Sequence, residues 1–159
     1  MLPSWKQWRL FLEVMCALAS AWLCASYLLR ATKKLTDLTV FTGQLVSASA
    51  RQGASNTSYV LFRFSQPAAT LGLDIGVGRR EAQQLAAQVH PGDRLVVYYD
   101  ASGTPLKQEV NLLSYQVQLA SGKMVYAIAK AHRRYWGWAL LSGTLALFFA
   151  SSVSTKIKK

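Results

Sequence analysis

Apolar residues crowd the two ends of this chain and alternate with polar ones through its middle. From Leu10 to Leu29, 20 residues carry one charge, Glu13, between Arg9 and Arg30. As a helix rising about 1.5 Å per residue, the stretch covers about 30 Å, the hydrocarbon thickness of a bilayer. Tyr135 to Thr155 carries no charge and lies between Arg134 and Lys156. The pattern predicts two transmembrane helices with a small domain between them. Residues 1–34 hold a tail and the first helix, with its span over 10–29. Residues 35–130 form the domain. Residues 131–159 hold the second helix, with its span over 135–155, and a basic tail.

The first stretch also has a charged lead-in, Lys6 and Arg9, and small-residue triplets at Ala17–Ala19 and Ala19–Ala21. A cleaved leader would look similar. The apolar run continues past both triplets to Leu29, so the expectation is an uncleaved span. Trp5, Trp8 and Tyr27 flank it, and Tyr135, Trp136 and Trp138 open the second, as rings at the headgroup level do. Arg9 stands four residues before Glu13, on the same helix face, and can pair with it. A charge held for a partner subunit's helix is the alternative.

Small residues recur four apart in both spans. Cys16, Ser20 and Cys24 form one row of the first, and Ala17, Ala21 and Ala25 another. The second has Ala139 with Gly143, and Ser142 with Ala146 and Ala150. Such rows let helix backbones approach closely in lipid. The expected helix-packing residues are therefore Cys16, Ser20, Ala21, Cys24, Ala139, Ser142, Gly143 and Ala146. In a hairpin, Ser20, Ala21 and Cys24 face Ser142, Gly143 and Ala146. Self-association through the same rows is the other use.

In the middle, the period changes from helical to alternating. Residues 38–46 are rich in β-branched and aromatic types and shift phase after Gly43, which predicts a strand with a bulge there. A turn at 52–57 leads to a strand over 59–64, with Val60, Phe62 and Phe64 on one face. Leu71, Leu73, Ile75 and Val77 alternate in a third strand. Ala82, Leu85, Ala86 and Val89 share one face of a helix over 79–89, stopped by His90-Pro91-Gly92-Asp93. Strands follow at 94–99, 115–119 and 124–128, with a loop at 100–105. Three strands, a helix and further strands predict an OB-like barrel, with an SH3-like barrel as the neighbouring topology. The expected fold class is membrane α+β: two transmembrane helices flanking a small OB-like or SH3-like β-barrel with one short helix.

The charge refines this reading. The 159 residues carry a net +11. Residues 31–134 hold 12 Lys/Arg against 6 Asp/Glu, a balance of +6, and the spans and tails supply +5. Much of the excess thus flanks the spans, where it meets anionic headgroups. The domain's basic residues are scattered without interleaved aromatics, so nucleic acid is not an expected partner. Both cysteines lie in the first span, about 12 Å apart along a helix, too far for a disulfide with each other.

No constellation for catalysis emerges. His90 and His132 fall in different elements, with no ligand set for a metal. No serine sits in a nucleophile elbow. Asp74, Asp93, Asp100 and Glu109 are carboxylates that could meet, but their contexts are those of turn and strand-end residues. The glycines at 72, 76 and 78 sit within a strand pattern and do not make a phosphate-binding loop. Asn56-Thr57-Ser58 fits a glycosylation sequon that matters only in a eukaryotic secretory context. OB-like barrels bind ligands on the face of strands two and three, and here that face offers Tyr59, Arg63 and Asp74.

Pro91 to Asp100, and Gly43-Gln44-Leu45-Val46-Ser47 followed by Tyr59-Val60-Leu61-Phe62, add a resemblance. Together with the two spans, they resemble a family of small bacterial membrane proteins of unknown function. That family has a β-barrel-like loop domain between two membrane helices. The resemblance covers about residues 38–153. A proline-rich segment after Tyr-Tyr-Asp is reduced here to Pro105. The resemblance implies architecture, bacterial origin and an inner-membrane location, and carries over no catalytic residue.

The functional expectation is a non-enzymatic accessory protein, without cofactor or metal. Its partners are the lipid bilayer and another membrane or envelope protein, or a second copy. A membrane-held binding domain for a saccharide or peptide is the alternative. For orientation, the tails carry Lys6, Arg9, Lys156, Lys158 and Lys159, while Arg30, Lys33, Lys34, Lys130, Arg133 and Arg134 flank the domain. The counts nearly tie, but charges beside a long translocated loop weigh less. Termini in the cytoplasm and the domain outside is the expected arrangement.

Overall fold

The computed structural model describes residues 5–53, 56–102, 110–111 and 113–157. The elements are α1 (Trp5–Ala31), β1 (Thr39–Gln52), β2 (Ser58–Ser65), β3 (Ala68–Gly76), α2 (Arg79–Ala87), β4 (Arg94–Tyr99), β5 (Val110–Asn111), β6 (Ser114–Leu119), β7 (Met124–Tyr126) and α3 (Ile128–Ile157). The chain divides into two compact units, Lys34–Ala131 and the paired segments Met1–Lys33 and His132–Lys159.

The β unit is one open sheet in the order β5-β3-β2-β1-β4-β6-β7. Its neighbours are antiparallel except β3 and β5, which run parallel. The expected barrel is therefore corrected to an open sheet. Among the described residues, the chain beside β6 returns to β3 at a single bridge, Leu73 with Leu113. One bridge leaves the remaining edge groups of β3 and β6 without a ladder between them, and a ladder is what closes a barrel.

β1 organises the sheet because it changes partner along its length. Thr39–Gln44 pairs with β4, and Leu45–Gln52 with β2. The irregularity falls between Leu45 and Ser47, two residues beyond the expected bulge at Gly43. Gly43 has a different role. A Cβ there would lie 2.7 Å from Phe41 Cε1 and 3.0 Å from Phe64 Cδ1. The missing side chain lets those two rings meet, with centroids 4.8 Å apart. The turn before β4 locks onto the irregularity: Leu45 N donates to the Asp93 carbonyl and Gly92 N to the Leu45 carbonyl, each at 2.8 Å. Gly92 has φ +95°, a conformation that favours glycine.

One face of the sheet is apolar. Val60, Phe62, Phe64, Leu71, Leu73, Leu95, Val97, Tyr115 and Val117 are buried on it, with Ala82 and Leu85 of α2 packed among them. The helix ends at Ala87, and Val89 is buried beyond it. The last expected strand also ends early. Ile128 starts α3, after a single residue, Ala127. Lys130, in that first turn, donates to Glu81 Oε1 of α2 at 3.2 Å and lies over the Tyr126 ring.

In the second unit, α1 and α3 run antiparallel side by side. Tyr27 stacks on Tyr135 and Trp138, with centroids 6.5 and 6.2 Å apart. At the opposite end, Ser152 Oγ donates to Glu13 Oε2 at 3.4 Å. Residues Gln7–Ala31 and Ile128–Thr155 are long and apolar enough to cross a membrane.

Candidate functional site

Alternation along β2 sorts its side chains. Ser58, Val60, Phe62 and Phe64 are buried, while Tyr59, Leu61 and Arg63 lie on the other face. Pairing builds that outer face across three strands. Tyr59 stands between Arg51 of β1 and Asp74 of β3, Leu61 between Ser49 and Gly72, and Arg63 between Ser47 and Thr70. Tyr59 and Asp74 are therefore direct neighbours. Arg63 shares their face but is about 13 Å further along the strand. The arginine beside Tyr59 is Arg51, which sequence reasoning missed. The signal was present: pairing outward from the 52–57 turn sets Arg51 opposite Tyr59.

Local contacts fix the two members of the first row. Asp74 Oδ1 accepts from Gly76 N at 2.8 Å, so its carboxylate is turned toward its own chain. The Tyr59 ring covers Gly53, where a Cβ would lie 3.2 Å from Tyr59 Cε1. Arg63 is exposed and, among the described residues, makes no ion pair.

Two clefts border this region. One, of about 360 Å³, is lined by Thr42, Gly43, Gln44, Gln66, Gly92 and Arg94. Its polar groups are hydroxyl, amide and one guanidinium, arranged where β1 passes from β4 to β2. The other, of about 100 Å³, lies where the end of β1 and the start of β2 meet α2. Ala50, Arg51, Gln52, Ser58, Arg79, Ala82 and Gln83 line it. Ser58 is 1% exposed, and its Oγ has no hydrogen-bond partner. A buried polar group left in that state costs about 1–3 kcal/mol.

The carboxylates considered for acid–base chemistry are engaged locally. Asp93 Oδ2 accepts from His90 N at 2.7 Å, and Asp100 Oδ1 from Ser102 N and Oγ at 3.0 and 2.6 Å. With Asp74, they hold the turns that follow or precede strands. Glu109 and residues 103–105 of the expected loop lie outside the described residues. Among the described residues, no three His, Cys, Asp or Glu side chains gather as metal ligands would.

In the helix pair, the least exposed positions of α1 include Leu10, Glu13, Ala17, Ser20, Cys24, Tyr27 and Ala31. Their spacing alternates three and four, the period of a coiled-coil seam. Cys24 Sγ lies 3.3 Å from where a Cβ would stand on Gly143. Ala139 and Ser142 are buried, and Ala146 is half-buried. Cys16 and Ala21, expected to pack, are on the exposed surface of α1. Rows of strict four-residue spacing drift around a helix, so the seam takes members from both rows and leaves these two outside. Glu13 meets Arg9 Nε at 3.3 Å as well as Ser152, so its charge is answered within the chain. Phe11, Leu12, Leu18, Trp22, Leu140, Leu141, Leu147 and Phe148 remain exposed around the pair.

Comparison with protein-family models and with curated proteins finds no match for this chain.

Proposed function

We propose that this protein is an integral membrane accessory protein that binds another envelope protein through the outer face of β1, β2 and β3. The reading rests mainly on that face. Tyr59, Leu61 and Arg63 project from one strand, flanked by Arg51 and Asp74. An aromatic and arginines are the residue types that anchor protein interfaces. The exposed apolar girdle of α1 and α3 supports insertion of both helices in a bilayer. In this reading, the chain belongs with the small bacterial two-span proteins it resembles. It resides in the inner membrane, with its termini in the cytoplasm and its β-domain outside.

The test is affinity capture of the full chain from detergent-solubilised native membranes. A stoichiometric protein partner is expected, lost when Tyr59→Ala and Arg63→Glu are combined and kept with Gln44→Ala. Capture that ignores the face variants contradicts the reading. The 360 Å³ polar cleft favours a second reading, a saccharide-binding domain. Thermal stabilisation of the full chain by envelope oligosaccharides, lost with Gln44→Ala, would select it instead.

A further inference from the structure

We infer that the end of the helix pair where Tyr27 meets Tyr135 is a binding site for the headgroup of one anionic phospholipid. The inference rests on the reading that both helices lie in a bilayer, and not on the partner-binding reading. Two guanidiniums, one from each helix, converge there on a single ring. Arg30 Cζ lies 6.0 Å and Arg134 Cζ 5.0 Å from the Tyr135 ring centroid. Tyr135 is 3% exposed and fixed by its stack with Tyr27, while both arginines are half-buried. Ring contact holds a guanidinium by its face and leaves the N–H donors at its edge available.

The two ends of the helix pair differ in how their charge is answered. Glu13 is the single Asp or Glu of Met1–Lys33 and His132–Lys159, and it pairs with Arg9 at 3.3 Å. It stands about 25 Å from Arg30 along α1. The Tyr135 end carries Arg30, Lys33, Arg133 and Arg134 with no carboxylate from either helix. Asp37, the next acid along the chain, is turned onto its own backbone and accepts from Lys34 N at 3.0 Å. Among the described residues, Arg30 makes no ion pair or side-chain hydrogen bond. Arg134 has other contacts within the chain, and its five N–H donors serve more than one acceptor. Guanidinium forks match phosphate oxygens two at a time. The depth is right for a lipid phosphate, because Tyr27, Tyr135 and Trp138 are aromatic rings of the kind that settle at the headgroup level. The exposed apolar surface continues about one turn deeper with Leu23 and Leu141, where acyl chains lie. Free phosphate shares the headgroup's charge but has nothing to place against that surface.

The test is native mass spectrometry of the full chain released from nanodiscs of phosphatidylcholine doped with increasing phosphatidylglycerol. One retained phosphatidylglycerol per chain is expected, at fractions where phosphatidylcholine is not retained. Arg30→Gln and Arg134→Gln should each weaken retention about fivefold, the effect of one basic residue at a charged membrane surface. Arg30→Lys should restore part of it. Arg133→Gln removes the same charge one residue away, from an exposed position, and should leave retention unchanged. Equal retention of the two lipids, or equal weakening by Arg133→Gln and Arg134→Gln, overturns the site. Displacement of the lipid by millimolar inorganic phosphate overturns a lipid as its occupant. Incorporation into pure phosphatidylcholine nanodiscs reads the membrane placement separately. A chain that enters them without selecting phosphatidylglycerol loses only the site, whereas one that stays out loses the two-span reading and the site with it.

Discussion

Single residues carry much of what the sequence could and could not reveal. Tyr59, Arg63 and Asp74 were legible as one face because strand alternation is strict. Arg51 was not, because its place beside Tyr59 arises from strand pairing, and Ser58 was not, because its burial arises from α2 folding over the hairpin end. Ser58 yields a stability prediction. Replacing it with Ala removes an unsatisfied buried hydroxyl at no cost in packing. Thermal or denaturant unfolding should show a gain of about 1 kcal/mol. A loss instead would mean that the hydroxyl is already bonded. Phe62, fully buried, marks the opposite case. Phe62→Ala should cost about 3–5 kcal/mol by the same measurement, and a cost near zero would remove it from the core.

At the scale of elements, local pattern gave strand and helix positions well and their ends less well. Residues 94–99 were read with their observed bounds, since an apolar run between Asp93 and Asp100 has sharp edges. The hairpin strand expected over 124–128 ends at Tyr126, because α3 captures Ile128 into its first turn. Closure of the sheet was not legible, because it depends on pairing between residues far apart in sequence. The helix seam was partly legible: small residues marked the faces, but only the heptad phase separates Ser20 and Cys24 from Cys16 and Ala21. That phase can be tested. Gly143→Leu would drive a side chain into Cys24 and should destabilise the helix pair by about 1–3 kcal/mol. Ala21→Leu, on the exposed side, should have little effect. A steric-trap or detergent-unfolding assay of the full chain would read both, and equal sensitivity would contradict the seam. Ser152→Ala removes the bond to Glu13 and should cost about 0.6 kcal/mol, typical of hydrogen bonds between membrane helices.

For the whole molecule, the proposal joins a membrane hairpin to a β-domain with one recognition face. Both helices suit a bilayer in length and in exposed apolar surface. A reporter active only in the cytoplasm should give signal when fused after Lys159 and none when inserted at Gly53. The reverse pattern would invert the orientation. The central claim is that the face of Tyr59, Leu61 and Arg63 meets a protein partner in the envelope. The most direct measurement is site-specific photo-crosslinking in native membranes. A photoreactive residue would replace Leu61, Arg63 or, on β7 at the sheet's edge, Met124, one at a time in the full chain. The account predicts one discrete protein adduct, the same from positions 61 and 63 and missing from 124. No adduct from the β2 positions, or the same adduct from all three, would contradict it.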